Sequence, residues 1–178
     1  DDGNPCTTDA CDPIIGCVHE VIPGCGSVWY VDMESTAVAP DGLSWETAYP
    51  NIQPAVDAAY ATHGGEVWVA SGTYTGQITM RSHCSLYGGF AGVETLREHR
   101  DYQYNPVILD GASINTVVSM IGTVKARLDG FSVCNGNGYY GGGIYCESVD
   151  DTNLITHCLI RQNLAWDGGG IHCRAASS

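Results

Sequence analysis

From Ser27 onward the apolar positions fall in short runs separated by glycine, asparagine, aspartate and serine. The runs are 29–31 (WYV), 66–70 (EVWVA), 77–80 (QITM), 84–87 (CSLY) and 107–109 (VIL). They continue with 116–120 (TVVSM), 130–134 (GFSVC), 143–146 (GIYC), 154–160 (LITHCLI) and 170–173 (GIHC). β-Branched and aromatic residues dominate them, which predicts strands. Asp110-Gly111 and Asn135-Gly136 are turn pairs, but neither makes a complete two-residue link between neighbouring runs. A meander of tight hairpins is therefore not expected. Residues 51–60 differ: Ile52, Val56, Ala59 and Tyr60 are spaced i, i+4, i+7, i+8, behind Asn51 as N-cap and with Pro54 in the first turn. That spacing predicts a short helix covering the end of a β core.

An internal repeat sets the expected architecture. Residues 131–146 read FSVCNGNGYYGGGIYC and residues 158–173 read CLIRQNLAWDGGGIHC, with the GGGI blocks at 141–144 and 168–171, 27 residues apart. A period of roughly 20–30 residues with several short strands per unit indicates a solenoid. The expected fold is all-β: a right-handed parallel β-helix of about five or six rungs, with a short N-terminal capping helix. Ile144 and Ile171 would stack inward, and glycines would form the corners, with Tyr139, Tyr140 and Trp166 at corners before GGG. The last block is followed only by RAASS, so the sequence predicts a bare end there, a template for further strand pairing.

Composition changes near residue 26. Residues 1–25 hold four cysteines and three prolines but few large apolar side chains, so crosslinks must constrain them. The expected division is a disulfide-stapled module at 1–26 and the β-helix at 27–178. The chain has nine cysteines and no CxxC spacing, which favours disulfides in an oxidising compartment over zinc. The candidates are Cys6, Cys11, Cys17, Cys25, Cys146, Cys158 and Cys173. Within the module the pairing stays open, since four cysteines allow three connectivities.

Charge excludes some partners. Asp and Glu number 20 against seven Lys and Arg, a net charge of −13, unlike the basic surfaces that nucleic acid or anionic membranes reward. No apolar run reaches the roughly 20 residues of a membrane span. Among candidate chemistries, calcium suits the oxygen-rich set Asp1, Asp2, Asn4, Asp9 and Asp12. An EF-type loop from Asp2 fails, because Cys6 and Pro13 stand at ligand positions, and turn capping explains the same residues. No other metal or cofactor is expected. Polysaccharide cleavage would need facing carboxylates or an acidic cluster with a basic proton acceptor. The ordered NTD, DD, GHG and RIK pattern of polygalacturonases is missing, so no catalytic residue is expected. His157-Cys158 and His172-Cys173 are sequence neighbours, a poor geometry for a dyad if each pair lies in a strand. Tyr139, Tyr140 and Trp166 are candidates for an aromatic platform for sugar rings, with packing as the alternative.

Several ordered motifs carry a resemblance. WYVD at 29–32, DGLSWETAYPNIQPAVDAA at 41–59, GGEVWVASGTY at 64–74, SLYGGFAGVE at 85–94 and RDYQYNPVILDG at 100–111, with the two GGGI blocks, resemble secreted bacterial right-handed β-helix proteins of the polymorphic outer-membrane and adhesin-like kind. CTTDACDPIIGC at 6–17 resembles the cysteine-rich CTxDxCDxxxGC repeat of extracellular matrix-type proteins. In such arrays a cysteine precedes the DDGN stretch, and Cys25 would open a following copy, which implies a longer protein. Together these readings lead to the expectation of a secreted or cell-surface structural protein, not an enzyme, whose partners are copies of itself in a fibre or surface layer. The alternatives are a β-helix that binds extracellular polysaccharide and a fragment of a large adhesin.

Overall fold

The computed structural model describes residues 7–12, 16–21 and 26–175. β1 (Thr7–Asp12) and β2 (Gly16–Val21) form an antiparallel pair in which Cys11 stands opposite Cys17. Cys6, Cys25, Asp1, Asp2 and Asn4 lie outside the described residues. For Cys11, Asp9 and Asp12 only the backbone pairing is described.

The rest is all-β with parallel sheets and one helix. In chain order come β3 (Ser27–Val31), α1 (Ile52–Ala61), β4 (Gly65–Ala70), β5 (Gly72–Thr75) and β6 (Ile78–Thr79). Then follow β7 (Cys84–Phe90), β8 (Val107–Asp110), β9 (Val118–Ile121), β10 (Arg127–Asp129), β11 (Phe131–Cys134) and β12 (Asn137–Tyr140). The chain continues through β13 (Ile144–Glu147), β14 (Leu154–Thr156), β15 (Leu159–Arg161), β16 (Leu164–Asp167) and β17 (Ile171–Arg174). One sheet has the order β14-β10-β7-β4-β3, a second β15-β11-β8-β5 and a third β17-β13-β9-β6, while β12 pairs with β16. Every pairing in these four sheets is parallel.

Register explains why these sequences hold together. Val67, Leu86, Leu128 and Ile155 are aligned across the first sheet. Tyr74, Leu109, Val133 and Ile160 are aligned across the second. Ile78, Val118, Ile144 and Ile171 are aligned across the third. The three rows meet in one core, within which Leu86, Leu109, Leu128, Val133 and Ile144 are fully buried. Burying each such side chain contributes about 1.5–3 kcal/mol. A slip of one residue would turn every member of a row outward.

α1 lays Ile52, Ala55, Val56 and Ala59 against β3, β4 and β7. The predicted helix is present, shifted by one residue, but Asn51 makes no side-chain cap. Tyr60, assigned to the apolar face from its spacing, is exposed. The helix ends where Thr62 donates its hydroxyl to the Ala58 carbonyl and Gly64, at φ +116°, donates its N–H to the Ala59 carbonyl at 2.8 Å.

The run at 154–160, which reads as one strand, is two: β14 and β15 break at His157, whose φ of 51° turns the chain. Apolar content on both sides of a polar corner hid that turn. Tyr139, Tyr140 and Trp166, expected at corners, lie within β12 and β16. The corners are the first glycines of the two triplets, Gly141 at φ +58° and Gly168 at +67°. The remaining triplet glycines permit close stacking instead, with Gly143 donating to the Gly169 carbonyl at 3.0 Å.

Candidate aromatic binding site

β12 and β16 form a two-stranded edge in which Gly138 aligns with Ala165 and Tyr140 with Asp167. Strand alternation sends Tyr139 and Trp166 to the same face. Their rings lie parallel within 4°, 6.4 Å apart, and are 67% and 84% exposed. Tyr140 meets Tyr139 edge to face at 4.7 Å and approaches His172 at 5.0 Å and Tyr145 at 6.3 Å. Tyr145 and His172 are themselves in register on β13 and β17, 5.9 Å apart. The five rings touch in sequence, Trp166 and Tyr139 parallel, Tyr140 turned edge-on to Tyr139 and packed toward Tyr145 and His172.

Polar groups edge these rings. The Tyr145 hydroxyl donates to Glu147 Oε2 at 2.9 Å, and Arg174 reaches the other Glu147 oxygen at 3.9 Å. His172 Nδ1 lies 3.7 Å from Asp167 Oδ2. Desolvation and the Glu147 carboxylate raise the pKa of the Tyr145 hydroxyl, keeping it a donor. Exposed flat rings with hydrogen-bonding groups at their margin suit the apolar faces and hydroxyl edges of sugar rings.

The structure thus brings together the three aromatic candidates, and adds Tyr145, His172, Glu147 and Asp167. The signal for the additions was the 27-residue spacing, which places Tyr145 beside His172 just as it places Cys146 beside Cys173. Burial, reinforced by the neighbouring Cys173 thiol, pushes the Cys146 thiol up to about 12. Cys158 lies apart, donating to the Thr156 carbonyl at 3.2 Å. Cys84 and Cys134, not among the candidates, are buried thiols. Asp150 accepts the Thr152 N–H at 3.1 Å and the Asn153 side-chain amide at 2.8 Å, so it fastens a turn.

Among the described residues, no group of three or more His, Cys, Asp or Glu could hold a metal ion. No described helix is long and apolar enough to cross a membrane. Compared with known proteins, residues 1–22 match a family model described as a Dictyostelium (slime mold) repeat. No curated protein and no solved structure matches the chain. The family match is confined to the cysteine-rich segment, and nothing in the comparisons points to a bacterial adhesin-like protein.

Proposed function

We propose that residues 27–175 wind as a right-handed parallel β-helix, and that the protein is a non-enzymatic extracellular structural element. In this reading copies join into a fibre or surface layer by adding parallel strands at the β14–β17 edge. The coil is supported by the order in which strands enter the sheets: β7, β8, β9, then β10, β11, β13, then β14, β15, β17. The extracellular setting is supported by the cysteine-rich repeat at residues 1–22.

The observation that carries the assembly is the contrast between two equivalent isoleucines. Ile144 is 0% exposed, whereas Ile171, next in the same row, is 43% exposed. Leu159 on β15 and Leu164 on β16 are exposed as well. Among the described residues no strand pairs with the outer side of β14, β15, β16 or β17. Apolar side chains beside open N–H and C=O groups favour another β layer, from the same polypeptide or from a second copy, and this reading assigns it to a second copy.

Light scattering over a concentration series tests this. Particle mass that rises with concentration, and Ile171→Lys holding the protein as a monomer with an unchanged melting temperature, would support the proposal. A wild-type monomer throughout the series would sink it. A second reading, polysaccharide binding, is favoured by the parallel Tyr139 and Trp166 rings. Glycan-array binding that Trp166→Ala abolishes supports it, and an array without signal removes it.

A further inference from the structure

The chain has seven Lys and Arg, and three of the arginines converge on one ring. The guanidinium carbons of Arg97, Arg100 and Arg127 lie 4.9, 5.0 and 5.9 Å from the centre of Tyr87. Tyr87 on β7 is in register with Asp129 on β10. The Asp129 side chain is only 3% exposed, and its oxygens bond Arg100 at 2.8 Å, Arg127 at 3.1 Å and His157 Nδ1 at 2.9 Å. Arg97 bonds Glu66. Three arginines against two carboxylates leave this patch positive on a chain of net charge −13.

Donors remain at the patch. A guanidinium carries five N–H groups, and among the described residues Arg127 uses one, toward Asp129, besides facing the Tyr87 ring. His157 is half exposed, and its Nε2 has no partner among the described residues. Arg100, by contrast, is committed to the Gly88 carbonyl and to both the carbonyl and carboxylate of Asp129. His157 stands against the Tyr102 ring, 5.1 Å away, and both line a cleft of about 290 Å³ with Phe131, Ser132 and Pro106. The cleft therefore combines a ring wall, an apolar floor, one hydroxyl and His157, and the buried Asp129 carboxylate that holds His157 Nδ1 also holds Arg127 beside it.

We propose that this cleft binds one acidic sugar residue, a pyranose bearing a single carboxylate or sulfate ester. The anion would meet Arg127 and His157, and the ring would lie against Tyr102. Charge-assisted hydrogen bonds supply the selection for the anion. The surrounding negative field opposes a long polyanion, which is why a single charged residue is the ligand class. The cleft lies where Tyr102 and His157 meet β8, β11 and β15, apart from the Tyr139–Trp166 shelf, and it reaches Leu159 of the β14–β17 edge.

The test titrates the whole chain with glucuronate, glucose and glucose 6-sulfate, following the Tyr102 and His157 resonances by NMR. Glucuronate or the sulfate ester should shift both resonances and bind at least about tenfold more tightly than glucose. The stronger of the two identifies the anion. Arg127→Gln should lose that margin, and the same resonances in the wild-type protein serve as the readout if the variant does not fold. Equal binding of glucose and the two acids overturns the proposal, as does the absence of any shift. Binding of duplex DNA or heparin at the same resonances, tighter than glucuronate, also overturns it, because the patch would then be a general polyanion contact.

Discussion

Cys146 and Cys173 stand directly opposite each other on β13 and β17. Cys146 is buried and Cys173 exposed. Directly paired strands lie about 4.8 Å apart, a separation that falls within the Cα range of disulfides. Oxidised glutathione should therefore attach first to Cys173, releasing one glutathione thiol. Attack by Cys146 then closes the bridge and releases the second, so the protein loses the mass of two hydrogens. Because the Cys146 pKa is pushed up to about 12, the closing step should be slow near neutrality and accelerate as pH rises. Peptide mapping after quenching checks the order; a Cys146 adduct appearing before a Cys173 adduct would contradict it.

Asp129 is the electrostatic keystone of the Tyr87 face. Replacing it by Asn leaves Arg100 and Arg127 without their carboxylate, and breaking such a buried pair costs about 3 kcal/mol. Urea denaturation of Asp129→Asn at pH 7 measures that cost. Burial alone would raise the Asp129 pKa, but hydrogen bonds from Arg100 and His157, with the Arg100 charge, outweigh it and leave the carboxyl below its ordinary value. The sign follows: this stabilisation is present above about pH 4 and is lost as pH falls through the depressed value. Between pH 5 and pH 2 the variant's stability should fall less steeply than the wild type's.

Gly136 shows how tightly the backbones approach near β12. A Cβ there would land on the Gly142 carbonyl and crowd Val117, and neither backbone nor core can yield cheaply. Gly136→Ala should cost more than about 2 kcal/mol. Gly122 offers the contrast: its φ is +59° but nothing lies near its Cβ position. Gly122→Ala should cost only the left-handed backbone penalty of about 1 kcal/mol. Thermal melts of the two variants side by side separate close approach from conformational strain.

The pairing of Ile144 with Ile171 and of Cys146 with Cys173 was legible because the GGGI blocks mark a spacing of 27 residues (144 to 171) that the backbone pairing reproduces. Where the spacing is not constant the sequence misled. Ser85 aligns with Arg127 across the long 91–105 excursion; β10 keeps the 27-residue spacing toward β14, but its central residue Leu128 is flanked by charge, so no apolar run announced it. The Tyr87 patch was invisible for the same reason: Arg97 and Arg100 come from that excursion, Arg127 and Asp129 from β10 and His157 from a corner. The aromatic shelf was half visible, since Tyr139, Tyr140 and Trp166 precede the glycine triplets in sequence. Their placement on strands depended on pairing between β12 and β16, each only four residues long.

Cys84 ties the helix to the first sheet, its buried thiol donating to the Val56 carbonyl at 3.8 Å. Burial pushes the thiol up to about 12, above the ordinary value of 9.0. The unfolded chain therefore ionises this group first as pH rises. The stabilisation from keeping it protonated is full below about pH 9 and is lost progressively toward pH 12. Buried Tyr74, raised by the same cause, and Cys146 act in the same direction. Urea midpoints measured from pH 8 to pH 10.5 should fall for the wild type and fall less steeply for Cys84→Ala. That variant also loses packing at every pH, so the slope and not the absolute stability is diagnostic. Identical slopes would mean that Cys84 ionises as readily in the folded protein as in the unfolded chain, contrary to its place under α1.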